Sequence, residues 1–143
     1  MKELDRIISQ ELYLASGKTL SIVGMGDRRN LWHSMKELFE TELVDYDIRF
    51  EDDENVVNVD IIFDNYTPGD IIVNYACHKM WPIGKIWKGK ELILVGNNEH
   101  HNGDCNPVTS CQQLIDQNEL TEVFHQQQIK RWRGHYFLVS GTN

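Results

Sequence analysis

Thr19-Leu20-Ser21-Ile22-Val23-Gly24-Met25-Gly26-Asp27 carries the fold of this chain. Residues 19–23 form a short apolar run and read as a buried strand. That strand runs straight into Gly24-x-Gly26, where missing side chains permit a tight turn and a close backbone approach to a ligand. Before it, Leu4, Ile7, Ile8, Leu12 and Ala15 fall at helical spacing, and Gly17 follows as a C-cap. After it, Leu31, Trp32, Met35, Leu38 and Phe39 mark one face of a second helix. The stretch is thus the centre of a helix–strand–turn–helix unit.

Reading on, 45–50 and 56–63 are strand candidates, separated by the acidic run Glu51-Asp52-Asp53-Glu54. The turn Thr67-Pro68-Gly69 leads into Asp70-Ile71-Ile72-Val73-Asn74-Tyr75, a near-continuous apolar stretch of the kind buried on both faces of a sheet. A polar, aromatic loop covers 77–90, and Glu91 to Gly96 is a further buried strand. Ser110 is placed to cap a short helix running to about Asn118. The strands 122–129 and 135–139, joined across Lys130 to Gly134, read as an antiparallel pair. Strands alternating with helices predict an α/β fold, a Rossmann-like three-layer sandwich whose mostly parallel sheet closes with the C-terminal antiparallel strand pair. In such sheets ligands sit beyond the carboxyl ends of the strands. Here those ends carry Gly24–Asp27, Glu51–Asp53, Asp64-Asn65, Asn74–His78 and Asn97-Asn98.

Length and composition bound the rest. The 143 residues suit one domain spanning 1–143, and 41% hydrophobic with 25% charged residues is an ordinary globular balance. The net charge is −8, with 16 acids against 7 bases in residues 1–70 and 6 against 7 thereafter. An acidic chain without a basic stripe is a poor phosphate-backbone binder, so no nucleic-acid partner is expected. No apolar run approaches the ~20 residues of a membrane span, and no membrane partner is expected. Three cysteines (Cys77, Cys105, Cys111) and an N-terminus without a signal-peptide core predict a reduced, cytoplasmic protein. Lys79, Lys85, Lys88 and Lys90 read either as a cradle for one anionic group or as a solvated loop.

With these elements in order, the chain resembles compact class I S-adenosylmethionine-dependent methyltransferase-like proteins, in a bacterial and viral branch. Three features carry the resemblance. Ile22-Val23-Gly24-Met25-Gly26-Asp27 looks like the family's glycine motif. Asp70-Ile-Ile-Val-Asn-Tyr-Ala-Cys-His-Lys-Met80 is similar to that branch's strand-four segment, and it is followed in the expected order by Lys88-Gly89-Lys90, an apolar strand and Asn97-Asn98. The terminal strand pair looks like the family's closing hairpin. The sequence departs from the pattern at Ile22, where an acid is usual, and at His78 and Lys79, which replace a Glu-His pair. Arg29 stands where a dinucleotide fingerprint wants a third glycine, which disfavours NAD.

The resemblance implies S-adenosylmethionine as cofactor and a small molecule or protein side chain as methyl acceptor. It implies that Gly24, Gly26 and Asp27 approach the cofactor's methionine part. It implies that an acid among Glu51, Asp52 and Asp53 binds the ribose hydroxyls, that Asp64 or Asn65 meets the adenine edge, and that Asn74 borders the methyl group. His78, with Asn74, is the candidate catalytic group, since an imidazole suits proton removal from an acceptor. Tyr75, Cys77, Trp81, Asn97 and Asn98 would border the acceptor. No Asp-Pro-Pro-Tyr-like motif follows strand four, which argues against a DNA amino-methyltransferase. Two other readings stay open: a catalytically degenerate relative that binds the cofactor or a partner, and a metal-dependent hydrolase using Cys77, His78, His100, His101 and Cys105. The latter lacks any tight Cys-x-x-Cys spacing, and no metal is expected. A homodimer is consistent with the short chain and its four tryptophans.

Overall fold

The structure, a computed structural model, describes residues 2–13, 19–24, 43–46, 56–57, 67–99 and 104–143. Its elements are α1 (Lys2–Tyr13), β1 (Leu20–Val23), β2 (Leu43–Tyr46), β3 (Val56–Val57), β4 (Ile71–Asn74), β5 (Glu91–Asn97), α2 (Cys111–Gln117), β6 (Glu122–Lys130) and β7 (His135–Thr142). Two 3₁₀ turns, Cys77–Lys79 and Ile83–Lys85, interrupt the loop between β4 and β5. Among the described residues the strands form one seven-stranded sheet in the order β3-β2-β1-β4-β5-β7-β6. β1 to β5 run parallel, and β7 joins β5 and β6 antiparallel.

Side-chain alternation builds the three layers. Ile71, Val73, Ile93, Val95 and Leu138 face one way, and pack with Leu4, Ile7 and Ile8 of α1. Those three α1 residues recur at the spacing of one helical face, as the sequence predicts. Ile72, Leu92, Leu94, Phe137 and Val139 face the other way, and pack with Leu114 of α2, Val108 and Ile83. The central strands β1 and β4 are therefore buried at every position, and mostly apolar, because both faces are covered.

Ser110 caps α2 as expected, its Oγ accepting the Gln113 N–H at 3.1 Å. The second strand begins at Leu43, two residues earlier than predicted. β7 reaches Thr142, beyond the predicted Val139, because it pairs with β5 along its whole length, from Glu91↔Thr142 to Asn97↔Tyr136. The expected second helix, the Gly17 cap, and the strand portions 47–50 and 58–63 lie outside the described residues.

Candidate functional site

Strand order reverses between β1 and β4: β2 and β3 extend from one side, β5 and its partners from the other. This is the switch point, the place where crossover connections diverge and leave a crevice beyond the strand ends. Both strands stop here in the same register, Val23 beside Asn74. The Tyr75 N–H then donates to the Val23 carbonyl at 3.0 Å, which extends the pairing one step further.

Gly24 closes β1 with φ +62, the left-handed region that an L side chain enters at a cost. A Cβ placed on Gly24 would lie 2.4 Å from the Ala76 Cβ. The bare backbone therefore lets the ends of β1 and β4 close on one another, and it fits a cofactor that approaches main chain. Gly26, Asp27, Glu51, Asp52, Asp53 and Asp64 lie outside the described residues.

The segment after β4 is held by its own polar groups. The buried Asn74 accepts the Ala76 N–H through Oδ1 at 2.8 Å, and its Nδ2 donates to the Met80 sulfur at 3.4 Å. Cys77 is buried in the core, and its thiol faces the Asn74 carbonyl at 3.5 Å. Burial pushes that thiol up to about 12, with hydrogen bonds to backbone acting in the opposite direction. A raised thiol pKa favours the fold below the unfolded value of 9.0, and that contribution is lost as pH climbs toward 12. At about pH 8, iodoacetamide should label the exposed Cys105 and leave Cys77 unmodified in the folded protein, read by peptide mass. Rapid labelling of Cys77 without unfolding would contradict this burial.

His78 is 9% exposed, and its partner is on β5. The Glu99 N–H donates to Asn97 Oδ1 at 3.1 Å, which fixes the amide's orientation. Asn97 Nδ2 then lies 3.3 Å from His78 Nε2. An amide NH₂ only donates, so in this contact Nε2 is the acceptor. The base role expected of His78 meets a lone pair already engaged: proton removal through Nε2 requires Asn97 to let go first.

The remaining expected residues separate by depth. Tyr75 is a core residue against α1, while Trp81 is 71% exposed on the β4–β5 loop. Asn97 is buried, and Asn98 Oδ1 accepts the His135 N–H at 2.9 Å, tying the end of β5 to the β6–β7 turn. The lysines do not act as a set, since Lys88 pairs with Glu119 and Lys90 Nζ donates to the Pro68 carbonyl. Among the described residues no three His, Cys, Asp or Glu side chains come together as a metal site; His100 and His101 lie outside them.

Sequence reasoning missed Asn106. Its N–H donates to the His78 carbonyl at 3.0 Å, and its Nδ2 to the Cys77 carbonyl at 3.1 Å. A reciprocal amide pair with Gln117, at 2.9 and 2.8 Å, ties this turn to α2. An asparagine in a loop rich in Asn, His and Gly carries no local signal of such a bond.

Neither a protein-family model nor a curated protein sequence matches the chain. Solved structures do. A Burkholderia thailandensis 1,6-didemethyltoxoflavin-N1-methyltransferase, crystallised with 1,6-didemethyltoxoflavin and S-adenosylhomocysteine, superposes with a TM-score of 0.67 at 13% identity, over 97% of this chain and 78% of that one. Human N-acetylserotonin methyltransferase in complex with SAM gives 0.57 at 11% identity, over 99% and 54%. A methyltransferase from Pyrococcus furiosus gives 0.55 at 10% identity, over 95% and 82%. With the seven strands of the described residues in the order given and helices on both faces, the chain has the class I methyltransferase fold that these proteins share.

Proposed function

We propose that this chain binds S-adenosylmethionine at the switch point between β1 and β4, and transfers its methyl group to a small molecule or a protein side chain. One observation carries the reading: a left-handed glycine ends β1 at the place where strand order reverses, pressed against the continuation of β4. The neighbours crystallised with SAM or S-adenosylhomocysteine support the same ligand. The similarity of the Asp70–Met80 segment supports placing the chain in the bacterial and viral branch.

The cofactor supplies an electrophilic methyl on a sulfonium, and the protein's task is to align two reactants and exclude water. In this reading the Gly24–Gly26 turn and Asp27 hold the methionine part. A carboxylate among Glu51, Asp52 and Asp53 accepts hydrogen bonds from the vicinal ribose hydroxyls, and Asp64 meets the adenine. Asn74, rigid in its own hydrogen bonds, shapes the wall near the methyl group. Trp81 offers an exposed ring to the acceptor.

A second reading has its own support. Asn74 and His78 spend hydrogen-bonding groups within the protein. That favours a relative which binds the cofactor without transferring the methyl group.

Isothermal calorimetry with S-adenosylmethionine and S-adenosylhomocysteine tests the site. Wild type should bind with a Kd of about 1–100 μM, and the Asp52→Ala/Asp53→Ala variant should bind at least about tenfold more weakly. No heat at roughly millimolar cofactor overturns the cofactor reading. Binding with no S-adenosylhomocysteine formed across a panel of acceptors favours the second reading over the first.

A further inference from the structure

We propose that Arg131, on the turn between β6 and β7, is a positioning residue for His78, acting through Glu99 and Asn97. The proposal rests on the reading that His78 borders the methyl acceptor. Its path starts at the end of β5. There Asn97 Oδ1 accepts the Glu99 N–H at 3.1 Å, which turns Nδ2 toward His78 Nε2, 3.3 Å away. The main chain of Asn97 is fixed too, since its carbonyl accepts the Val108 N–H at 3.0 Å. What remains to aim the amide is the direction of the Glu99 N–H.

The β6–β7 turn sets that direction. Glu99 Oε2 lies 3.6 Å from Arg131 Nη2, and the two side chains are 14% and 24% exposed. An ion pair so sheltered is screened less than one on open surface. Arg131 is itself held on two sides. Its guanidinium lies over the Tyr136 ring, 4.0 Å from the centroid, and its N–H donates to the Gly134 carbonyl at 3.0 Å. Asn98, between Asn97 and Glu99, is tied to the same hairpin, its Oδ1 accepting the His135 N–H at 2.9 Å. The hairpin thus fixes both residues that follow Asn97. Asn97 in turn occupies the Nε2 lone pair, the group that would take a proton from an acceptor. Each bond in this series orients the next, so loosening Arg131 loosens the hold on His78.

Nitrogen NMR of the His78 imidazole tests the proposal, on the full chain without cofactor, at about pH 8, above the ordinary histidine range. In wild type, Nε2 should show the shift of a proton-free nitrogen that accepts a hydrogen bond. Arg131→Gln should move that shift toward a free acceptor and speed exchange of the Asn97 side-chain amide about threefold, the weight of one partly exposed ion pair. Arg131→Lys keeps the charge and should restore both readings. A merely structural role would loosen the hairpin instead, so the backbone amides of β7 should keep their wild-type protection in Arg131→Gln. Asn97→Asp replaces the donor with an acceptor and should draw the proton onto Nε2. A protonated Nε2 in wild type overturns the proposal, as does an Nε2 signal that Arg131→Gln leaves unmoved or Arg131→Lys fails to restore. Loss of β7 protection in Arg131→Gln, or a proton-free Nε2 in Asn97→Asp, overturns it equally. The cofactor reading stands or falls separately, by calorimetry, because this measurement uses neither cofactor nor acceptor.

Discussion

Gly24→Val should be the most damaging single change at the candidate site, costing about 3 kcal/mol of stability and abolishing cofactor binding. Two costs add. The residue holds φ +62, which a β-branched side chain resists most strongly. Its Cβ would also fall 2.4 Å from that of Ala76, far inside contact distance. Gly24→Ala separates the two, since it brings the Cβ without the branch. Pairing it with Ala76→Gly removes the clashing methyl, while the Ala76 N and Cα remain at the acceptable 3.4 and 3.5 Å. The double variant should therefore recover most of the loss, leaving about 1 kcal/mol for the left-handed backbone. Urea midpoints measure this cycle. A Gly24→Ala protein as stable as wild type would mean that β1 and β4 do not close as described.

Asn118→Leu should cost about 2–3 kcal/mol, although Asn118 lies well away from the switch point. Asn118 is buried at the end of α2, where its Nδ2 donates to the Leu114 carbonyl at 2.9 Å and its Oδ1 accepts the Gly84 N–H at 3.0 Å. Gly84 has no room for a side chain, because a Cβ there would lie 2.3 Å from the Asn118 carbonyl oxygen. Asn143 completes the fastening, donating to the carbonyls of Gly84 and Asn118 and accepting the Gly89 N–H. Leucine fills the same space and strands the buried Gly84 N–H. Asn118→Asp keeps the acceptor and should cost less. The amides of Gly84 and Ile86 should exchange faster in the leucine variant; unchanged protection there would refute the fastening. The loop so held includes the 3₁₀ turn that follows Trp81.

Local pattern announced much of this molecule. Leu4, Ile7 and Ile8 name the buried face of α1, the apolar runs at 71–73 and 92–95 name strands covered on both sides, and Ser110 names the start of α2. Gly24 following Val23 marks a tight turn at a strand end. Each of these is written in neighbouring residues, because helix and strand periodicity, capping and left-handed turns are short-range effects.

Which strands become neighbours is another matter. The runs at 122–129 and 135–139 predict a hairpin, yet only the assembled sheet puts β7 inside, against β5, and β6 at the edge. The buried Phe137, Leu138 and Val139, beside the exposed Gln126 and Gln128, show the physical reason: the more apolar strand gains more by leaving water.

Site chemistry divides in the same way. Sequence supplied Asn74, Cys77, His78 and Asn97 as residue types suited to a site. The tertiary structure decided that Cys77 is a core thiol, that Asn97 turns the His78 imidazole into an acceptor at Nε2, and that Asn106 holds the turn between them. Those outcomes depend on contacts between residues 19 to 29 positions apart in the chain. The sequence by itself determined the elements and the ends of the strands where chemistry collects; packing determined which polar groups there remain for a ligand, because hydrogen bonds across strands exist only once the sheet has formed.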